Sequence, residues 1–180
     1  RDFVNPLLAA LCVWLMYRLN TKFLQPWTAV FSAFLLISSP FFLMNASSLL
    51  SHTWSLFLAL TFIISWLDSW RENKTIPVWM RVMTSASSLG LLILTRPMTA
   101  FSVSIPFALH GFFLWVKGAN YHRKWLACFV FIIGLFIAAY LTWQYSLTGS
   151  LTTNPYVLYW PYDRIGFGPN VGLNPDGHTI

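Results

Sequence analysis

Of the 180 residues, 57% are hydrophobic and 18% aromatic while only 9% are charged, against about 25% charged in an ordinary soluble domain. With a mean hydropathy of +0.60, the composition excludes a soluble globular domain, and the same shortage of charge excludes intrinsic disorder. The formal charge of +6 would raise nucleic-acid binding in a soluble protein. Here the eleven Lys and Arg fall in short connectors, which reads as membrane topology with no nucleic-acid partner.

The first residue is Arg, and Phe3 to Tyr17 already reads as a membrane segment without a signal-peptide pattern, so the chain is expected to be part of a longer protein. A spanning helix needs roughly 17 to 25 mostly apolar residues, and six stretches approach that length, giving an all-α polytopic membrane protein. They are 3–19, 26–44, 49–67, 78–95, 98–116 and 125–145. Thr84, Ser85, Ser87 and Ser88 make the fourth weakly apolar, as suits a helix packed inside a bundle. Trp27, Trp54, Trp66, Trp70, Trp79, Trp115, Trp125 and Trp143 stand near the expected ends, where amphipathic rings meet headgroups.

Sorting the connectors by charge orients the bundle, because Lys and Arg accumulate on the cytoplasmic side. Arg18, Lys22, Arg71, Lys74, Arg81, Lys117, Arg123 and Lys124 fall on one face and are assigned inside. The opposite face holds Arg1, Arg96 and Arg164, the uncharged hairpin from Asn45 to Ser51, and the tail from Ser146 to Ile180. The tail is rich in Pro, Gly, Asn and Tyr without a helical period, so it is expected to lie outside the bilayer over the bundle's outer mouth. The organisation is a transmembrane bundle over 1–145, part of a larger membrane domain, and an extracytoplasmic segment over 146–180. Cys12 and Cys128 lie in apolar runs and suggest neither a disulfide framework nor a metal site.

Arg96 is the most informative residue. Pro97 biases it away from a continuous helix, and its planar, permanently charged fork matches the oxygens of a phosphate. The functional reading is a receptor for a lipid phosphate; the plain one is a snorkelling Arg that marks a helix end. His52, at the start of the third span, can face the same mouth or simply sit at the interface. Downstream, Tyr162, Asp163 and Arg164 stand among aromatic rings and glycines. That mixture suits a sugar, whose apolar face stacks on rings while Asp and Arg satisfy its hydroxyls; it also suits an interfacial loop anchored by Trp and Tyr. Asp176 and His178 read as a solvated turn, since two ligands do not make a metal site. His110, deep in the fifth span, reads as hydrogen-bonded packing. No cofactor is indicated, and no repeat of fixed period is present.

Several short motifs extend this picture: Ser39-Pro40-Phe41-Phe42; Ser51-His52 opening an apolar helix; Leu94-Thr95-Arg96-Pro97; Tyr145 to Leu151; and Tyr162 to Pro169. In order and spacing the chain resembles bacterial membrane glycosyltransferases of the C-type fold, the superfamily of protein O-mannosyltransferases and lipid A aminoarabinose transferases. The resemblance implies transfer of a sugar from a polyprenyl-phosphate donor to an acceptor hydroxyl on the extracytoplasmic face, in the bacterial inner membrane. It implies that Arg96 holds the donor phosphate and stabilises the leaving group, with His52, Tyr162, Asp163 and Arg164 near the substrate. A carboxylate would serve as general base, and in the family it lies in a loop expected upstream of residue 1, so the fragment alone is expected to be inactive. Two other classes remain open: a transporter or lipid flippase, which would also gather polar groups between helices, and a non-catalytic assembly subunit.

Overall fold

The computed structural model describes residues 3–48, 51–71 and 76–160. Among these the regular structure is entirely helical: α1 (Val4–Asn20), α2 (Pro26–Ser38), α3 (Pro40–Ser47), α4 (His52–Ser69), α5 (Val78–Thr95), α6 (Pro97–Lys117), α7 (Asn120–Thr148) and the single turn α8 (Tyr156–Tyr159). The boundaries follow proline. Pro26, Pro40 and Pro97 each occupy the first turn of a helix, where the missing N–H is not needed and the fixed φ favours helix entry.

The expected second span is broken. Ser39 is held extended at φ −70°, ψ 119° because Pro40 disfavours helical geometry in the residue before it. Its hydroxyl then caps α3 by accepting from the Phe42 N–H. As a result α2 and α3 meet at 61°.

Three helices, α5, α6 and α7, are long and apolar enough to cross a membrane, and the bent pair α2–α3 makes a fourth if taken as one span. The expected spans at 78–95, 98–116 and 125–145 thus coincide with α5, α6 and α7, although α7 runs longer at both ends. The expected first span coincides with α1, which has 17 residues. The expected third span coincides with α4, a continuous helix of 18 residues whose apolar character is diluted by His52, Asp68 and several hydroxyls.

The chain divides into two units, Arg1–Phe136 and Ile137–Ile180. In the first, α4 is central and buries residues around its whole circumference, as a helix enclosed by others must. Leu60 and Ile64, one turn apart, pack with Ala9, Cys12 and Leu15 of α1 and with Phe42. The other side of α4 presents Leu58, Phe62 and Trp66 to Val82, Ala86 and Leu89 of α5, Ala100 of α6, and Leu126 and Phe129 of α7. Trp66 is therefore not an interfacial ring, as its position near a span end had suggested. Only 3% of it is exposed, and it meets Phe129 edge-on at 5.0 Å between centroids. Gly90 lets α7 approach α5: a Cβ there would come within 2.1 to 2.6 Å of the Phe136 ring.

In the second unit the end of α7 is closed locally. Gly149 takes φ +69° and its N–H donates to the Tyr145 carbonyl at 2.8 Å, a helix stop that glycine accommodates without steric cost. The Gln144 side chain, 4% exposed, donates to the Leu151 carbonyl. The run from Tyr145 to Leu151 is thus a helix terminus folded onto itself.

Candidate functional site

Arg96 occupies the break between α5 and α6. Pro97 forces it out of helical geometry, to φ −148°, ψ 79°, yet both of its backbone groups remain satisfied. Its N–H donates to the Leu92 carbonyl at 2.7 Å, and its carbonyl accepts from the Ala100 N–H at 3.0 Å. This anchoring fixes where the half-buried side chain starts. The guanidinium Nη1 lies 2.5 Å from His52 Nδ1, a contact across 44 positions of sequence. Two residues singled out separately in the sequence are direct partners.

A cavity of about 250 Å³ adjoins His52, with Ser39, Phe41, Phe42, Asn45 and Thr53 among its lining. The Phe41 ring meets the imidazole at 69°, with centroids 6.5 Å apart. The polar groups around it hold the backbone in place. Asn45 donates through Nδ2 to the Phe41 carbonyl at 2.8 Å, Thr53 donates to the Asn45 carbonyl at 3.1 Å, and the Cys12 thiol donates to the Thr53 carbonyl. The bend at Ser39-Pro40 brings Ser39 and Phe41 to the start of α4.

The opposite end of the first unit has a different electrostatic character. Lys22 and Asp68 form an ion pair, and Arg81, 5% exposed, donates to the carbonyls of Asp68 and Arg71 at the end of α4. The Arg18 guanidinium lies over the Trp14 ring at 5.0 Å, and that of Arg71 over Phe23 at 5.5 Å. His52 opens α4 and Asp68 stands next to its last residue, so the carboxylate is about 24 Å along the axis from the imidazole at 1.5 Å per residue. Among the described residues Asp68 is the only acid. Among the described residues Arg96 therefore has an imidazole beside it and no carboxylate.

Tyr162, Asp163 and Arg164, with Asp176 and His178, lie outside the described residues. His110 makes the hydrogen bond expected of it, accepting at Nδ1 from Trp66 Nε1 at 3.1 Å, but it sits on an exposed face of α6 and not deep in a core. Among the described residues no three His, Cys, Asp or Glu side chains converge to hold a metal.

Two features escaped the sequence reading. The inward burial of Arg81 is one; its only signal was a charge at the start of a weakly apolar helix. A second cavity, about 390 Å³ and lined by Phe62, Trp66, Phe107, Phe112, Trp115 and Phe129 among others, is the other; the one-turn spacing of Phe62 and Trp66 on α4 hinted at it. No protein-family model, curated protein or solved structure matches the chain significantly.

Proposed function

We propose that the chain belongs to a membrane glycosyltransferase of the C-type fold, moving a sugar from a polyprenyl-phosphate donor to an acceptor hydroxyl on the extracytoplasmic face of a bacterial inner membrane. In this reading all six apolar segments are embedded, α1 and α4 included, and the segment from 146 onward is extracytoplasmic. The observation that carries it is the Arg96–His52 pair, held at a proline-enforced helix break, beside a cavity, and at the end of α4 remote from Asp68. An arginine at membrane depth is costly unless something offsets its charge, and a phosphodiester offers two oxygens for its fork. As the sugar–phosphate bond breaks, negative charge grows on the leaving phosphate, and a preorganised guanidinium stabilises that change. Tyr162, Asp163 and Arg164 would approach the sugar, and an acidic base from another segment would deprotonate the acceptor.

The test is transfer from a panel of radiolabelled polyprenyl-phosphate sugars by the intact protein in membranes. Arg96→Ala should lower transfer by roughly 10²- to 10³-fold, the range for loss of one transition-state donor, while Arg96→Lys retains part of it. Undiminished transfer by an inserted Arg96→Ala protein refutes the assignment. A lipid flippase is the second reading, supported by the 61° break between α2 and α3, since interrupted helices line transporter sites; translocation of a lipid phosphate without sugar transfer would decide for it.

A further inference from the structure

The hydrogen bond between Arg96 and His52 constrains chemistry beyond phosphate recognition. A guanidinium has donors and no acceptor, so His52 Nδ1 must present its lone pair, and the imidazole in this contact is neutral with its proton on Nε2. His52 therefore satisfies one N–H of Arg96 and none of its charge. Among the described residues the neighbouring elements supply no anion either. On α1 the nearest titratable group is the Cys12 thiol, turned to the Thr53 carbonyl. From α2 and α3 come Ser39, Phe41 and Asn45; α5 and α6 contribute Arg96 itself; and the one acid of α4, Asp68, is at its far end. Among the described residues this corner of the molecule carries a guanidinium and no carboxylate.

We propose that Arg96 and His52 bind a tetrahedral oxyanion together with a proton, His52 changing from an acceptor toward Arg96 into a charged donor toward the anion. The inference rests on the reading of Arg96 as a phosphate receptor and adds a role for His52 that the reading does not require. An oxyanion has acceptors enough for both side chains, so its arrival removes the need for a lone pair on Nδ1. The anion also places negative charge beside the guanidinium, which favours a second positive charge on the imidazole. The proton comes from solvent and is released when the anion leaves; no covalent bond changes. Because binding and protonation are linked, a proton that strengthens anion binding must itself be bound more tightly in the complex. Affinity is then highest at low pH and falls as pH rises. The adjoining cavity of about 250 Å³ leaves room for a small substituent on the anion.

The experiment uses inorganic sulfate, whose charge does not vary over pH 6 to 8, with the intact protein in phosphatidylcholine nanodiscs and ¹⁵N-labelled histidine and arginine. Loss of its resonance in His52→Asn assigns the ring. Saturating sulfate should convert the His52 signals from the neutral to the imidazolium pattern, and sulfate should bind more tightly at pH 6 than at pH 8 by up to about 100-fold, the limit for one proton taken up per anion across two pH units. In His52→Asn binding should persist without that pH dependence; in Arg96→Lys the conversion should survive in weakened form. Sulfate that perturbs the Arg96 side-chain resonances but leaves the His52 ring neutral overturns the proton coupling alone. Sulfate that perturbs neither residue overturns both the coupling and the phosphate-receptor reading. Repeating the titration with undecaprenyl phosphate, and separately with phosphatidylglycerol in the disc, identifies the physiological carrier: whichever protonates His52 is the lipid that brings the oxyanion.

Discussion

Replacing Arg81 with Met tests the structural logic at the end of α4. The side chain is 5% exposed, its Nη1 donates to the carbonyls of Asp68 and Arg71, and these belong to the last turn of α4 and the residues just beyond, where helix carbonyls lack intrahelical partners. Met preserves most of the apolar stem and removes the donors and the charge. A hydrogen bond from a charged group contributes about 1.5–3 kcal/mol. The second contact is long, at 3.3 Å, and Arg71 is exposed, so water can replace part of what is lost there. The expected loss is therefore about 2–4 kcal/mol, below the simple sum of two such bonds. For a chain of this size that lowers Tm by roughly 4–16 °C, measured by thermal unfolding in one detergent with circular dichroism. Arg81→Lys, with a compact ammonium in place of the fork, should reach one carbonyl well and recover about half of the difference. Wild-type Tm in Arg81→Met would refute the capping argument and show that the two carbonyls are equally well served by solvent.

Gly90→Val should destabilise by about 1–3 kcal/mol through overpacking, because the Phe136 ring occupies the space a side chain needs; thermal unfolding of Gly90→Val and of the double variant with Phe136→Ala checks it, and relief in the double variant is the expected signature. Trp66→Phe keeps the aromatic packing with Phe129 but removes the donor to His110 Nδ1, an expected cost of about 1 kcal/mol. That cost should disappear when the same substitution is made in a His110→Phe background. At the other end of the molecule, Lys22→Met leaves Asp68 half-buried without its ion partner and should cost about 1–3 kcal/mol. A double-mutant cycle with Asp68→Asn should return a coupling energy above the ~0–1 kcal/mol typical of exposed pairs, and a coupling near zero would mean that the pair is fully screened.

Much of the local architecture was legible in the residues themselves. Pro26, Pro40 and Pro97 mark helix starts because the ring sets φ and removes an N–H, effects that act within a residue or two. For the same reason the departure of Arg96 from helical geometry could be read from Pro97 alone. The lengths of α5 and α6 followed from their apolar runs, since backbone groups away from water must pair within the helix, whereas α7 extends past its run at both ends. The break within 26–44 was missed, although Ser39-Pro40 carried its signal, because a continuous apolar run outweighed one proline in the reading.

Which faces meet was decided only by packing. Hydropathy separates apolar from polar residues but not lipid-facing from protein-facing ones, since the hydrocarbon of lipid and that of a neighbouring helix are alike. Hence Trp66 could pass for an interfacial ring until α4 was enclosed by α1, α5, α6 and α7, and the partner of His110, read as hydrogen-bonded packing, was fixed only when α6 set it against Trp66. Arg81 became a helix cap by the side-by-side packing of α4 and α5. The Arg96–His52 contact has the same origin: both residues were visible as candidates at one end of the chain's spans, but a bond across 44 positions exists only because the start of α4 and the α5–α6 break are packed to the same depth.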